Sequence, residues 1–123
     1  MKLINFSNHP SANWSKAQYD TAKEMLHGGE ILDIPFPNVS PNMSENEIRI
    51  LAQTYISKIM SENPSIVMCQ GEFNLSYQVI TELKTREIKV VAACSERDTV
   101  EMTLPDGSHK KEAIFKFVRF REY

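Results

Sequence analysis

The sequence is short of the residues that build specialised folds. It has two cysteines, Cys69 and Cys94, each inside an apolar run. Two thiols in a chain without an export signal do not make a disulfide framework, so both read as buried and reduced. Its four glycines are Gly28, Gly29, Gly71 and Gly107. They supply neither G-x-G-x-x-G nor G-x-x-x-x-G-K-[ST], which removes the classical dinucleotide and P-loop readings. No G-x-S-x-G elbow is present. His9, His27 and His109 are far apart and lack ligand spacing, so no metal is expected. No apolar run approaches the roughly 18 residues of a membrane helix. The opening Met1-Lys2-Leu3-Ile4-Asn5-Phe6 is too short and lacks the small-residue site of a signal peptide, which predicts a cytoplasmic protein. Net charge is −2, so no global field draws the chain to duplex nucleic acid.

What is present is ordinary globular composition, 41% apolar and 24% charged. A chain of 123 residues fits one domain, 1–123. Lys2 to Phe6 reads as a strand that ends in the turn formers Ser7-Asn8-His9-Pro10-Ser11. Ser15 and Gln18 have capping-box spacing before a helix carrying Tyr19, Ala22 and Leu26, closed by Gly28-Gly29. Glu30 to Ile34 is a second strand, stopped by Pro35-Phe36-Pro37. Ser44 and Glu47 form a second capping box. The helix behind it shows the best stripe in the chain: Ile48, Leu51, Ala52, Tyr55 and Ile59. Ser65 to Cys69 is apolar almost throughout, as a strand covered on both faces would be. A third helix carries Leu75, Val79 and Leu83, and Ile88 to Cys94 is a fourth strand. Trp14 is expected to pack ahead of the first helix.

The pattern changes after Ser95-Glu96-Arg97-Asp98, which reads as a loop. Val100, Met102 and Leu104 alternate with polar residues, Pro105-Asp106-Gly107 turns, and Ala113 to Tyr123 returns as a strand. In that last strand Phe115 and Phe117 share one parity while Val118 and Phe120 share the other. The slip predicts a β-bulge near Phe117-Val118 or a strand covered on both sides. Five basic residues (Lys110, Lys111, Lys116, Arg119, Arg121) gather there, which suits a charged edge strand or a site for a few phosphates. The order βαβαβαβ plus a hairpin predicts an α/β domain on a mainly parallel sheet, with a C-terminal antiparallel β-hairpin.

In open parallel sheets ligands bind beyond the carboxyl ends of the strands, near the switch in strand order. That rule selects Ser7 to Ser11, Pro35 to Asn38, Gln70 to Asn74 and Cys94 to Arg97. Asn8, His9 and Ser11 precede a capped helix whose amides can hold an anion, and His9 has the residue type to move a proton near pH 7. Gly71 ends a strand where a ligand or backbone can approach closely, with Gln70 and Glu72 beside it. Arg97 is the natural phosphate partner, and Ser95 adds a hydroxyl. Each segment also has a plain reading, as turn chemistry, a helix cap or an exposed ion pair.

The opening Leu3-Ile4-Asn5-Phe6-Ser7-Asn8-His9-Pro10 resembles the start of small CRISPR-associated proteins of the CARF-like, ring-nuclease type, and Gln70-Gly71-Glu72-Phe73 extends the likeness at a strand end. The resemblance implies a Rossmann-like three-layer domain. It implies a homodimer in antiviral defence that binds cyclic oligoadenylate across its two-fold axis and cleaves it without a metal or other cofactor. Asn8, His9 and Ser11 would then grip one phosphate, and Ser95 and Arg97 another. Gln70, Gly71 and Glu72 would face the ribose or base, with His9, Ser11 and Arg97 carrying the chemistry. Two other classes stay open: a non-catalytic nucleotide- or anion-binding domain using the same crevice, and a partner-binding protein that uses the edge of its hairpin. Convergence of Asn8, His9 and Arg97 favours the ligand readings, and their separation favours the third.

Overall fold

A computed structural model describes all 123 residues. Five strands form one sheet: β1 (Lys2–Ser7), β2 (Glu30–Pro35), β3 (Ile66–Gln70), β4 (Lys89–Thr103) and β5 (His109–Glu122). Three helices connect them: α1 (Lys16–Met25), α2 (Glu45–Ser61) and α3 (Phe73–Thr85). The strand order is β2-β1-β3-β4-β5. The first four strands are parallel and β5 is antiparallel to β4.

This order explains where the helices lie. The chain steps from β1 outward to β2, then reverses and crosses back over β1 to β3 and on to β4. Right-handed crossovers place helices on opposite faces when the direction reverses. Accordingly α1 packs Ala22 and Leu26 against Leu3, Ile66, Met68 and Val91. On the other face α2 and α3 pack Ile48, Ala52, Ile56, Ile59, Leu75, Val79 and Leu83 against Ile4, Phe6, Val67, Cys69 and Val90. The even residues of β1 serve one core and the odd residues the other, which is the period-2 consequence of a strand buried on both sides. No helix is long and apolar enough to cross a membrane.

The helix starts follow their caps. Ser44 and Glu47 form a reciprocal capping box on α2. The Ser15–Gln18 expectation holds by half: the Ser15 hydroxyl accepts from the Gln18 N–H, while the Gln18 side chain turns inward and is buried against the Met68 sulfur. Burial of that amide on the α1 core outcompetes the return bond of the box. Past α1, His27 and Gly28 both take positive φ, and the Gly28 N–H reaches back to the Lys23 carbonyl.

The C-terminal half departs from the expected layout. Residues 95–98 are not a loop between two strands. β4 continues unbroken for 15 residues, and β5 pairs with it for 13 register positions from Val91↔Glu122 to Thr103↔His109. The break in pattern at Cys94 marks a bulge rather than a strand end. Cys94 opposes Arg119 and Ser95 opposes Phe117, so Val118 is left without an opposite residue. The extra residue resets the parity, and Phe117 and Phe120 come to one face with their rings 4.9 Å apart. Trp14 is buried in the same cluster, 6.1 Å from Phe120. Beyond the bulge the hairpin projects away from the helices, and Phe115 on it is exposed.

Candidate functional site

The direction of chain travel reverses between β1 and β3, and the segments that leave their carboxyl ends diverge to opposite faces. A crevice at that position is a consequence of topology. Here it is a cleft of about 680 Å³, lined among others by Asn8, His9, Gln70, Gly71 and Ser95. Five of the eight residues singled out in the sequence therefore meet in one place. Asn13, Ser15 and Gln18 close it on the α1 side, and Phe115 and Phe117 on the hairpin side.

Three residues fall outside it. The Ser11 N–H donates to Asp33, which turns Ser11 toward β2. Glu72 caps α3: its carboxylate accepts from the N–H groups of Asn74 and Leu75 and from the Asn74 side chain. Partial burial works against its charge, but those hydrogen bonds prevail and hold its carboxyl below the usual range. Arg97 lies on β4 opposite Phe115, about 7 Å along the strand from Ser95. It belongs to the hairpin wall above the cleft rather than to a strand-end loop, because β4 does not end at Cys94.

A buried polar network holds the β1–α1 loop. Asn5 donates one amide hydrogen to the His9 carbonyl at 2.9 Å and the other to Asp33 at 3.0 Å. Its carbonyl accepts from the Ser7 hydroxyl at 2.7 Å, and Ser7 in turn accepts from the His9 N–H. The Trp14 indole N–H also donates to the His9 carbonyl. Both of Asn5's donors are used and its oxygen has a partner, as burial requires. His9 is thus anchored by its backbone through three residues, and it lines the cleft with its side chain exposed. The sequence pattern gave Asn5 and Asp33 no role and took Ser7 only as part of the Ser7 to Ser11 turn. The signal was available: Leu3, Asn5 and Ser7 share one strand face, and two polar residues on a buried face need partners.

The far wall is shaped by a fork. β3 and β4 pair through Met68↔Val91 and then separate. Gln70 bridges the gap, accepting from the Ala93 N–H at 2.9 Å and donating to the Ala93 carbonyl at 3.3 Å. On the α3 side the Tyr123 hydroxyl donates to the Cys69 carbonyl at 2.8 Å. Gly71 has a packing reason for its missing side chain, since a Cβ there would stand 2.5 Å from the Phe36 ring.

Residues 1–121 match the family described as Uncharacterized protein MJ1673 family. The chain belongs to that family. No curated protein matches it. In this member of the family the cleft carries hydroxyl, amide and imidazole groups and no lysine, arginine or carboxylate on its lining. Such a lining offers hydrogen-bond donors and acceptors to a polar ligand. The nearby cation is Arg97. No cluster of three or more metal-ligating side chains forms.

Proposed function

We propose that the cleft binds a nucleotide, with cyclic oligoadenylate as the ligand class. What supports the reading is the convergence of Asn8, His9, Gln70 and Ser95 at the switch between β1 and β3; of the expected trio Asn8, His9 and Arg97, the first two meet and Arg97 stays off the lining. Helices on both faces of the sheet fit the Rossmann-like three-layer architecture that this reading carries with it. A homodimer sharing the ligand across a two-fold axis goes with it as well.

In the catalytic form, the cleft aligns a ribose 2′-hydroxyl with the neighbouring phosphate. The 2′-oxygen bonds to phosphorus as the bond to the 5′-oxygen breaks, giving a 2′,3′-cyclic phosphate and a 5′-hydroxyl. His9 takes the proton from the 2′-hydroxyl or supplies one to the leaving oxygen. Asn8 and Ser95 hold the phosphate oxygens, and Arg97 reaches in from the hairpin to meet developing charge. Ser11 and Glu72 have no part in this version, since both serve the loop and helix around the cleft.

A second reading, binding without turnover, is favoured by one observation. His9 engages the fold through its backbone, and no side chain orients its ring. Incubation with cyclic tri-, tetra- and hexa-adenylate, followed by chromatography and calorimetry, separates the readings. Linear products establish the nuclease. Heat of binding without products establishes a sensor. Neither heat nor products overturns the nucleotide reading.

A further inference from the structure

A second groove of about 780 Å³ runs along α3, lined by Gln70, Gly71, Phe73, Tyr77, Ile80 and Tyr123 among others. Two of its residues are out of place on a solvent-facing helix surface. Phe73 exposes 90% of its surface and Tyr77 68%. They are four residues apart, so they lie on the same helix face, and Ile80 continues it. Neither ring belongs to either core cluster. Packing therefore gives no reason for an aromatic residue at either position.

Gln70 and Gly71 line this groove and the cleft alike. They form the rim that the two share. A ligand longer than one nucleotide can cross there. We propose that Phe73 and Tyr77 form a stacking ledge for a nucleobase of an oligonucleotide whose adjoining phosphate lies in the cleft. The inference rests on the nucleotide reading above and adds a second subsite to it.

Stacking suits what is present. Aromatic faces hold any base by its π-face, and the contact removes exposed ring surface from water without requiring a set of directed hydrogen bonds. A protein partner fits less well. Two rings bury roughly 150–250 Å² each, well below the roughly 800 Å² per partner of a standard protein interface.

The test uses the full chain, with cyclic tetra-adenylate, linear tetra-adenylate and adenosine 5′-monophosphate as probes. Affinity is read by calorimetry, and aromatic ring resonances by NMR. Phe73→Ala and Tyr77→Ala remove exposed rings, so the fold is retained, and the melting temperature verifies this. The expected result is upfield shifts of Phe73 and Tyr77 ring protons with the tetra-adenylates, and affinity about tenfold lower in either variant. Monophosphate affinity should be unchanged by either substitution, because one nucleotide fills the cleft alone. Equal tetra-adenylate affinity in wild type and both variants overturns the ledge and leaves the cleft standing. Shifts at the two rings with none at His9 or Gln70 overturn the cleft and leave the ledge as an independent site. No binding of any probe overturns both. Ring shifts that appear with increasing protein concentration alone assign the rings to self-association and overturn the ledge.

Discussion

The side-chain amide of Gln70 takes the place of a main-chain partner for Ala93, making both hydrogen bonds that a neighbouring strand would make. In the register of β3 and β4, Ile66↔Lys89 to Met68↔Val91, residue 70 falls opposite residue 93. The ladder is thus carried two positions past its end by a side chain. That lets β4 swing away with β5 while its backbone stays paired, and it builds the wall of the cleft. Gln70→Ala strands an N–H and a C=O that are partly buried, and should cost about 1–3 kcal/mol. Urea unfolding measures it. Gln70→Glu keeps the acceptor and loses the donor, and should fall between wild type and the alanine variant.

Gly71 and Phe36 are coupled by space. Phe36 is buried with its ring 4.7 Å from that of Phe6, so it has little room to retreat from a Cβ at position 71. Gly71→Ala should destabilise by about 1–3 kcal/mol through overpacking. The double variant with Phe36→Leu should lose less than the sum of the two single variants. A double-mutant cycle on thermal denaturation measures that coupling.

The α3 cap gives a pH dependence with a definite sign. Because the fold holds the Glu72 carboxyl below its ordinary value of 4.5, the folded state favours the carboxylate. Its contribution is present above that value and is lost as the pH falls through the lowered folded value. Replacing it with Gln should cost about 1 kcal/mol at pH 7, as loss of an N-cap does. The gap between the melting temperatures of wild type and Glu72→Gln should narrow as the pH falls below 4.5 and close once it has passed the lowered folded value.

The two thiols should differ in reactivity. Burial pushes the Cys69 thiol up to about 12, against a weaker opposing influence of the Ser76 hydroxyl, while Cys94 is partly accessible. At pH 8 an excess of a chromogenic disulfide should label one thiol quickly, at Cys94. The second should appear only on unfolding. Peptide mapping of the labelled native protein identifies the site.

Asn8 and His9 are exposed at the cleft, and their side chains support nothing else in the fold. Asn8→Ala and His9→Ala should leave the melting temperature within about 2 °C, consistent with a surface change of less than 0.5 kcal/mol. Each should weaken cyclic tetra-adenylate binding about tenfold, the loss of one hydrogen bond to a charged group. In the catalytic form His9→Ala should lower turnover by a further factor of about 100. Asn5→Ala should act on the fold instead, since it leaves the buried Ser7 hydroxyl and the His9 carbonyl short of partners.

The outline of the site was legible because it follows from chain order. A strand that leads into Asn8-His9 and another that leads into Gly71 bring those residues together wherever the strands are neighbours, and β1 and β3 are. Ser95 was brought in for a different reason from the one expected: the bulge aims it, not a strand-end loop. Glu72 and Ser11 looked alike in the sequence to residues that serve a ligand. Their partners, the α3 N–H groups and Asp33, were visible only once the chain had folded.

By itself the sequence determined the local elements: two well-capped helices, the apolar strands, and a parity slip near Phe117-Val118 that left a bulge or a doubly covered strand as the choices. These depend on residues within a few positions of each other, where steric and hydrogen-bonding preferences act directly. Tertiary structure alone decided that β4 runs on past Cys94, that Gln70 mends the ladder at Ala93, and that Gly71 makes way for Phe36. The last two are contacts between residues more than twenty positions apart, the first is pairing along the whole β4–β5 hairpin, and the energy that favours each exists only when the partners have been brought together.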